Sequence, residues 1–119
     1  MTIVTAMIVL LVALLHVYFL VLEMFLWDKP AGLKVFGQSK EQASSTKVLA
    51  ANQGLYNGFI AAGLLWGLIQ GAQGYDFKVF FLTCVVVAGV YGAMTASRKI
   101  LFVQAAPGLV GLLLVIISG

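Results

Sequence analysis

From Ile3 to Trp27 the chain is an apolar run broken by His16 and Glu23, and three more such runs follow it. A helix needs about 20 apolar residues to cross roughly 30 Å of hydrocarbon. The runs predict four helices over about 3–27, 40–69, 76–96 and 100–117, with Val48–Ile69 the apolar part of the second. The last two are short and should stand upright or extend into the headgroups. Strands are the weaker reading, because the runs do not alternate with period two and the chain is too short for most closed outer-membrane barrels. The expected fold is therefore all-α: a polytopic membrane protein, an antiparallel four-transmembrane-helix bundle, forming a single integral membrane domain over 1–119.

Composition supports this reading by exclusion. Only 9% of residues are charged, 62% are hydrophobic, and the mean hydropathy is +1.08. Soluble domains average about a quarter charged residues, so this chain lacks the polar surface that keeps such a domain in water. A single Cys excludes an intrachain disulfide framework. The first run resembles a signal peptide only superficially. It has no basic start, it is too long, and no small-residue cleavage site follows, so it is expected to be retained.

The connections set an orientation. Asp28 to Lys47 holds Pro30, Gly32 and Gly37, then Ser39 with Gln42 three residues later. That is a capping-box spacing, which places the start of the second helix near Ser39. Gln70 to Lys78 is a glycine-containing turn, with Asp76 as the expected cap of the third helix. Ser97 to Lys99 is short enough to make the third and fourth helices antiparallel neighbours. The first and third connections carry Lys29, Lys34, Lys40, Lys47, Arg98 and Lys99, and the opposite face carries Lys78 alone. Cytoplasmic loops hold the excess of Lys and Arg. The chain is thus expected in a bacterial inner membrane, multi-pass, with both termini outside the cytoplasm. Its net charge of +3 is an orientation signal rather than a nucleic-acid patch. Trp27 and Tyr75 fall at the expected interfaces.

Glycines recur at helix-packing spacing: Gly54 and Gly58, Gly63 and Gly67, Gly89 and Gly92, Gly108 and Gly111. Such positions let helix backbones approach closely in lipid. Packing within one chain is the plainer reading, and a homodimer face is the other.

Polar groups inside a bilayer are costly and therefore informative. Glu23 lies four residues before Trp27, roughly 6 Å inside the boundary at 1.5 Å per residue. His16 is two turns deeper on the same face. On the second helix Asn52 and Tyr56 form one pair four apart, and Gln53 and Asn57 another. Tyr91 and Thr95 lie in the last turns of the third helix, and Gln104 about one turn into the fourth. All fall in the cytoplasmic half of the bundle, whereas the other half is almost purely apolar. This segregation predicts a polar pocket with Glu23 and His16 as a candidate acid/base pair. Asn52, Gln53, Tyr56, Asn57, Tyr91, Thr95 and Gln104 would be its ligand-binding lining. Each residue also has a plainer role: His16 locking a backbone carbonyl, Glu23 snorkelling to water, the amides joining helices. A metal site needs three or four close ligands, and one His with one buried Glu falls short. No cofactor motif is present.

The strings HVYFLVLEMFLW (His16 to Trp27), FGQS, LAANQGLYNGFIAAGLLWGL (Leu49 to Leu68), VVAGVYGAMT and VQAAPGLVGLLL resemble a family of small bacterial integral membrane proteins catalogued as a domain of unknown function. The resemblance covers nearly the whole chain, with NQGLYNGF its most specific block. It implies a four-helix inner-membrane protein and no particular activity. Three functions compete. The first is binding of, or action on, a small amphipathic or lipid-like molecule, with the apolar half holding its tail. The second is a non-catalytic accessory or structural membrane protein. The third is a small proton-coupled exporter, disfavoured by the six-to-one charge bias and by the position of Glu23 near one end of its helix. Expected partners are membrane lipid, a small amphipathic ligand and a second copy of the chain, with no nucleic acid. Whether the chain is an enzyme is left open.

Overall fold

A computed structural model describes residues 1–96, 99 and 101–119. Ser97 and Arg98, and with them part of the predicted third connection, lie outside the described residues. The protein is all-α, and no strand occurs among the described residues. Among the described residues there are five α-helices: α1 (Ile3–Met24), α2 (Pro30–Phe36), α3 (Lys40–Ile69), α4 (Tyr75–Thr95) and α5 (Ala106–Ser118). A 3-10 turn (Gly71–Gly74) joins α3 to α4, and a π-helical turn (Leu101–Ala105) leads into α5. Two helical segments, Ile3–Met24 and Gly71–Thr95, are long and apolar enough to cross a membrane, and Phe102–Ser118 is a shorter apolar helix.

The helix count corrects the expected four. The additional helix, α2, occupies the connection after α1. Pro30 in its first turn has φ preset for a helix, and Gly37 ends it in the left-handed conformation at φ 63°, donating its N–H to the Leu33 carbonyl. A second correction concerns the start of α4. Its N-cap is Gly74, and Asp76 sits inside the first turn without capping it. The start of α3 matches the expected capping box. Ser39 N donates to Gln42 Oε1 at 3.0 Å, and Gln42 N donates to Ser39 Oγ at 3.1 Å, so two backbone N–H groups at the helix start are satisfied reciprocally. The segment expected as one helix over 100–117 instead changes pitch. Pro107 lies in the first turn of α5, and its ring opposes the carbonyl four residues earlier. The π-helical turn at 101–105 precedes it.

The chain forms two compact units. The larger comprises Met1–Leu14 and Ile60–Gly119. Its core is Val9, Val12 and Ala13 of α1, Leu64 of α3, Leu82 and Val85 of α4, and Val115 of α5. Glycines bring these helices together. A Cβ on Gly89 would lie 2.7 Å from the Ala105 backbone nitrogen, and one on Gly108 would lie 2.6 Å from Val85 Cγ1.

The smaller unit is Leu15–Phe59. Gly32 of α2 sits on the chain leaving α1, where an added Cβ would lie 1.9 Å from the Leu26 carbonyl oxygen. Trp27 stacks on Phe36 at 4.7 Å and donates its indole N–H to Thr46 Oγ1 at 3.1 Å. Lys47 Nζ lies 3.1 Å from Asp28 Oδ2, and its hydrogen bond holds the Asp28 carboxyl below the usual carboxylate value. These contacts fix where the end of α1 meets the first half of α3.

Candidate functional site

The buried stripe of α3 runs through Ala43, Ala50, Gly54, Asn57, Ala61 and Leu64. Its spacings of seven, four, three, four and three are those of one helix face. Gly54 and Gly58 open this face toward the end of α1. A Cβ on Gly54 would stand 2.7 Å from Met24 Cγ and 3.1 Å from Glu23 Cβ, and one on Gly58 would stand 2.7 Å from Leu20 Cδ1. The close approach delivers Glu23 between two amides. Gln53 Nε2 donates to Glu23 Oε2 at 2.7 Å, and Asn57 Nδ2 donates to Glu23 Oε1. Glu23 is 4% exposed and Asn57 9%, whereas Gln53 is exposed and forms the rim.

Both carboxyl oxygens are thus engaged by neutral donors. Charge-assisted bonds of this kind are short and strong, but two neutral amides do not cancel a carboxylate's charge. The arrangement can hold a proton or a cationic or hydrogen-bonding head group.

His16, the other half of the expected acid/base pair, is fully buried in the same unit, with its ring edge-on to Phe19 at 5.4 Å. It lies two turns before Glu23, about 10 Å along the helix axis, and it is the α3 amides that occupy the Glu23 oxygens. The remaining predicted lining residues are placed elsewhere. Asn52 donates to the Val48 carbonyl of its own helix and is exposed. Tyr56 is 63% exposed, with its ring against Phe59. These two share the second polar row of α3. The small residues at 43, 50 and 54 dock the neighbouring row, so 52 and 56 face outward. Tyr91 is 68% exposed, and Thr95 returns its hydroxyl to the Tyr91 carbonyl at 2.8 Å. Gln104 is half-buried in the π-helical turn. Tyr91, Thr95 and Gln104 belong to the larger unit. No group of three potential metal ligands occurs among the described residues.

One buried charge escaped sequence reasoning. Lys78, expected in the connection between the second and third predicted spans, lies inside α4 and is only 2% exposed. The signal for it was Gly67, whose missing side chain makes room for the Lys78 stem: an added Cβ would lie 2.8 Å from Lys78 Cγ.

No solved structure matches this chain. The protein described as "Uncharacterized protein YpaA" of Lactococcus lactis subsp. lactis (strain IL1403) is 34% identical over 106 residues, covering 87% of this chain and 89% of the relative. The family described as "Protein of unknown function (DUF1304)" matches residues 10–116. With nearly its whole length inside that match, from the apolar first helix through the Glu23 cluster to α5, the chain belongs to the DUF1304 family.

Proposed function

We propose that this protein is a multi-pass protein of the bacterial inner membrane whose Glu23–Gln53–Asn57 cluster holds the polar head of a small amphipathic or lipid-like molecule. The observation that carries the proposal is a buried carboxyl group that accepts a hydrogen bond from a neutral amide on each oxygen, in a chain whose surface is apolar. A helix at the centre of a soluble protein buries most of its apolar residues. Here only 28% of the α1 window and 22% of the Gly71–Thr95 window is buried within the chain. Ile3, Met7, Leu11 and Leu14 of α1 all face outward, which lipid accommodates and water does not. The long helix α3 and the π-turn–α5 segment would supply the other two spans of an antiparallel four-span bundle. Lys29, Lys34, Lys40 and Lys47 would then lie in the cytoplasm, with both termini outside. Burial of an intramembrane carboxyl group is costly unless its protonation or ligation is used.

A second reading has its own support. Gln53 and Asn57 each donate to one Glu23 oxygen, so the cluster serves equally well as an interhelical lock in a non-catalytic accessory protein. Native mass spectrometry of protein purified in mild detergent separates the two. The ligand reading expects a small molecule retained by wild type and lost from Glu23→Gln, which keeps the shape and removes the charge, with the melting midpoint of both forms nearly equal. Bare protein in both cases, with Glu23→Leu grossly unstable, would establish the lock instead. The same spectra report whether a homodimer forms.

A further inference from the structure

Lys78 is a second buried charge, in the larger unit and apart from the Glu23 cluster. Its stem runs over Gly67, where a Cβ would stand 2.8 Å from Lys78 Cγ. Its Nζ donates to the Gly71 carbonyl at 3.1 Å and contacts Met1 Sδ at 3.4 Å. An ammonium carries three donors, and a thioether is a weak acceptor. No carboxyl group, side-chain or terminal, stands within 4 Å of Nζ among the described residues. Asp76, on the same turn of α4, is exposed. The lysine sits in the first turns of α4, where the helix dipole adds positive rather than negative potential. An uncompensated buried ammonium at such a place is costly.

Lys78 also lines a cavity of about 40 Å³, together with Met1, Ala72, Tyr75, Val115, Ser118 and Gly119. Its volume admits a few water-sized atoms. The Ser118 hydroxyl on its wall donates its one proton to Thr5 Oγ1 across a long 3.4 Å, which leaves Lys78 as the cationic donor there. Ile116 and Ile117, adjoining that wall on α5, are exposed and apolar.

We propose that this cavity is an anion site in which the Lys78 ammonium binds an anionic oxygen of a phosphate group. The volume takes the oxygen rather than a complete head group, and the apolar surround suits a phospholipid, although free phosphate offers the same chemistry. The test uses the full chain in an uncharged detergent and phosphate-free buffer. Melting midpoints are measured with phosphatidylglycerol, with diacylglycerol of the same acyl chains, and with inorganic phosphate. Wild type should gain about 5 °C at tenfold excess over the dissociation constant with phosphatidylglycerol, and little with diacylglycerol. A matching gain with inorganic phosphate identifies the free anion as sufficient, and its absence identifies the lipid. Lys78→Met should lose the gain, whereas Lys34→Met, at an exposed lysine of α2 outside both clusters, should keep it, which separates this site from a general attraction of surface lysines for anionic lipid. If Lys78→Met does not fold, retention of phosphatidylglycerol over diacylglycerol by wild type in native mass spectra decides alone. Equal response to the two lipids with none to phosphate, or an undiminished gain in Lys78→Met, would overturn the proposal.

Discussion

Asn57→Leu should destabilise the protein by about 1–3 kcal/mol, the cost of leaving a buried charged acceptor without its donor. Interhelical hydrogen bonds in membranes average only about 0.6 kcal/mol, because alternative partners are found in the unfolded reference state. The larger figure applies here because Glu23 is 4% exposed and water does not readily replace Asn57. Gln53→Leu provides the contrast. Gln53 is exposed at the rim, so solvent or lipid head groups can substitute for it, and the loss should stay below about 1 kcal/mol. Removing both partners, as in Glu23→Leu with Asn57→Leu, should cost less than the sum of the two single changes. Thermal or denaturant unfolding in detergent measures all four variants. If Asn57→Leu costs the same with and without Glu23, its effect is packing and not the hydrogen bond.

The turn between α3 and α4 offers the second large effect. A Cβ on Gly74 would lie 1.9 Å from the Gly67 carbonyl oxygen and 2.9 Å from the Gly67 Cα. Those are backbone atoms, which cannot swing aside. Gly74→Ala must therefore open the turn, at about 1–3 kcal/mol or more. Gly71, three residues away, is glycine for a different reason. Its φ is +61° and nothing lies within 4 Å of an added Cβ. Gly71→Ala should cost only the left-handed backbone term, roughly 1–2 kcal/mol, and Gly71→Asn less, since Asn tolerates that region. A Gly74→Ala melting midpoint no lower than that of Gly71→Asn would show that the turn is looser than its backbone contact implies.

Much of this was legible in the residues. The apolar runs mark the long helices, Ser39 and Gln42 mark the start of α3, and the seven-residue step from His16 to Glu23 puts both on one face. What was not legible has identifiable physical causes. The seven residues of α2 are too few to show a periodic pattern or to form an isolated helix. The helix is held by tertiary contacts, with Gly32 on the Leu26 carbonyl and Phe36 on Trp27. The choice between the two polar rows of α3 was hidden for another reason. Asn52 with Tyr56 and Gln53 with Asn57 are equally polar, and the deciding residues are the small Ala43, Ala50 and Gly54, which are buried on the side of the Gln53–Asn57 row. Lys78 reads as a loop lysine until Gly67 is seen to admit its stem.

The proposed placement of the helices in a bilayer, with the end of α1 toward the cytoplasm, is tested most directly by reporter topology. Alkaline phosphatase, active only outside the cytoplasm, and a fluorescent protein, emitting only inside it, would be fused in turn after Gly119 and within the segment Gly37–Lys40. The four-span arrangement predicts phosphatase activity without fluorescence at the C-terminus and fluorescence without phosphatase activity at the Gly37–Lys40 insertion. Cytoplasmic signals at both sites, or fusion protein recovered in the soluble fraction, would contradict it.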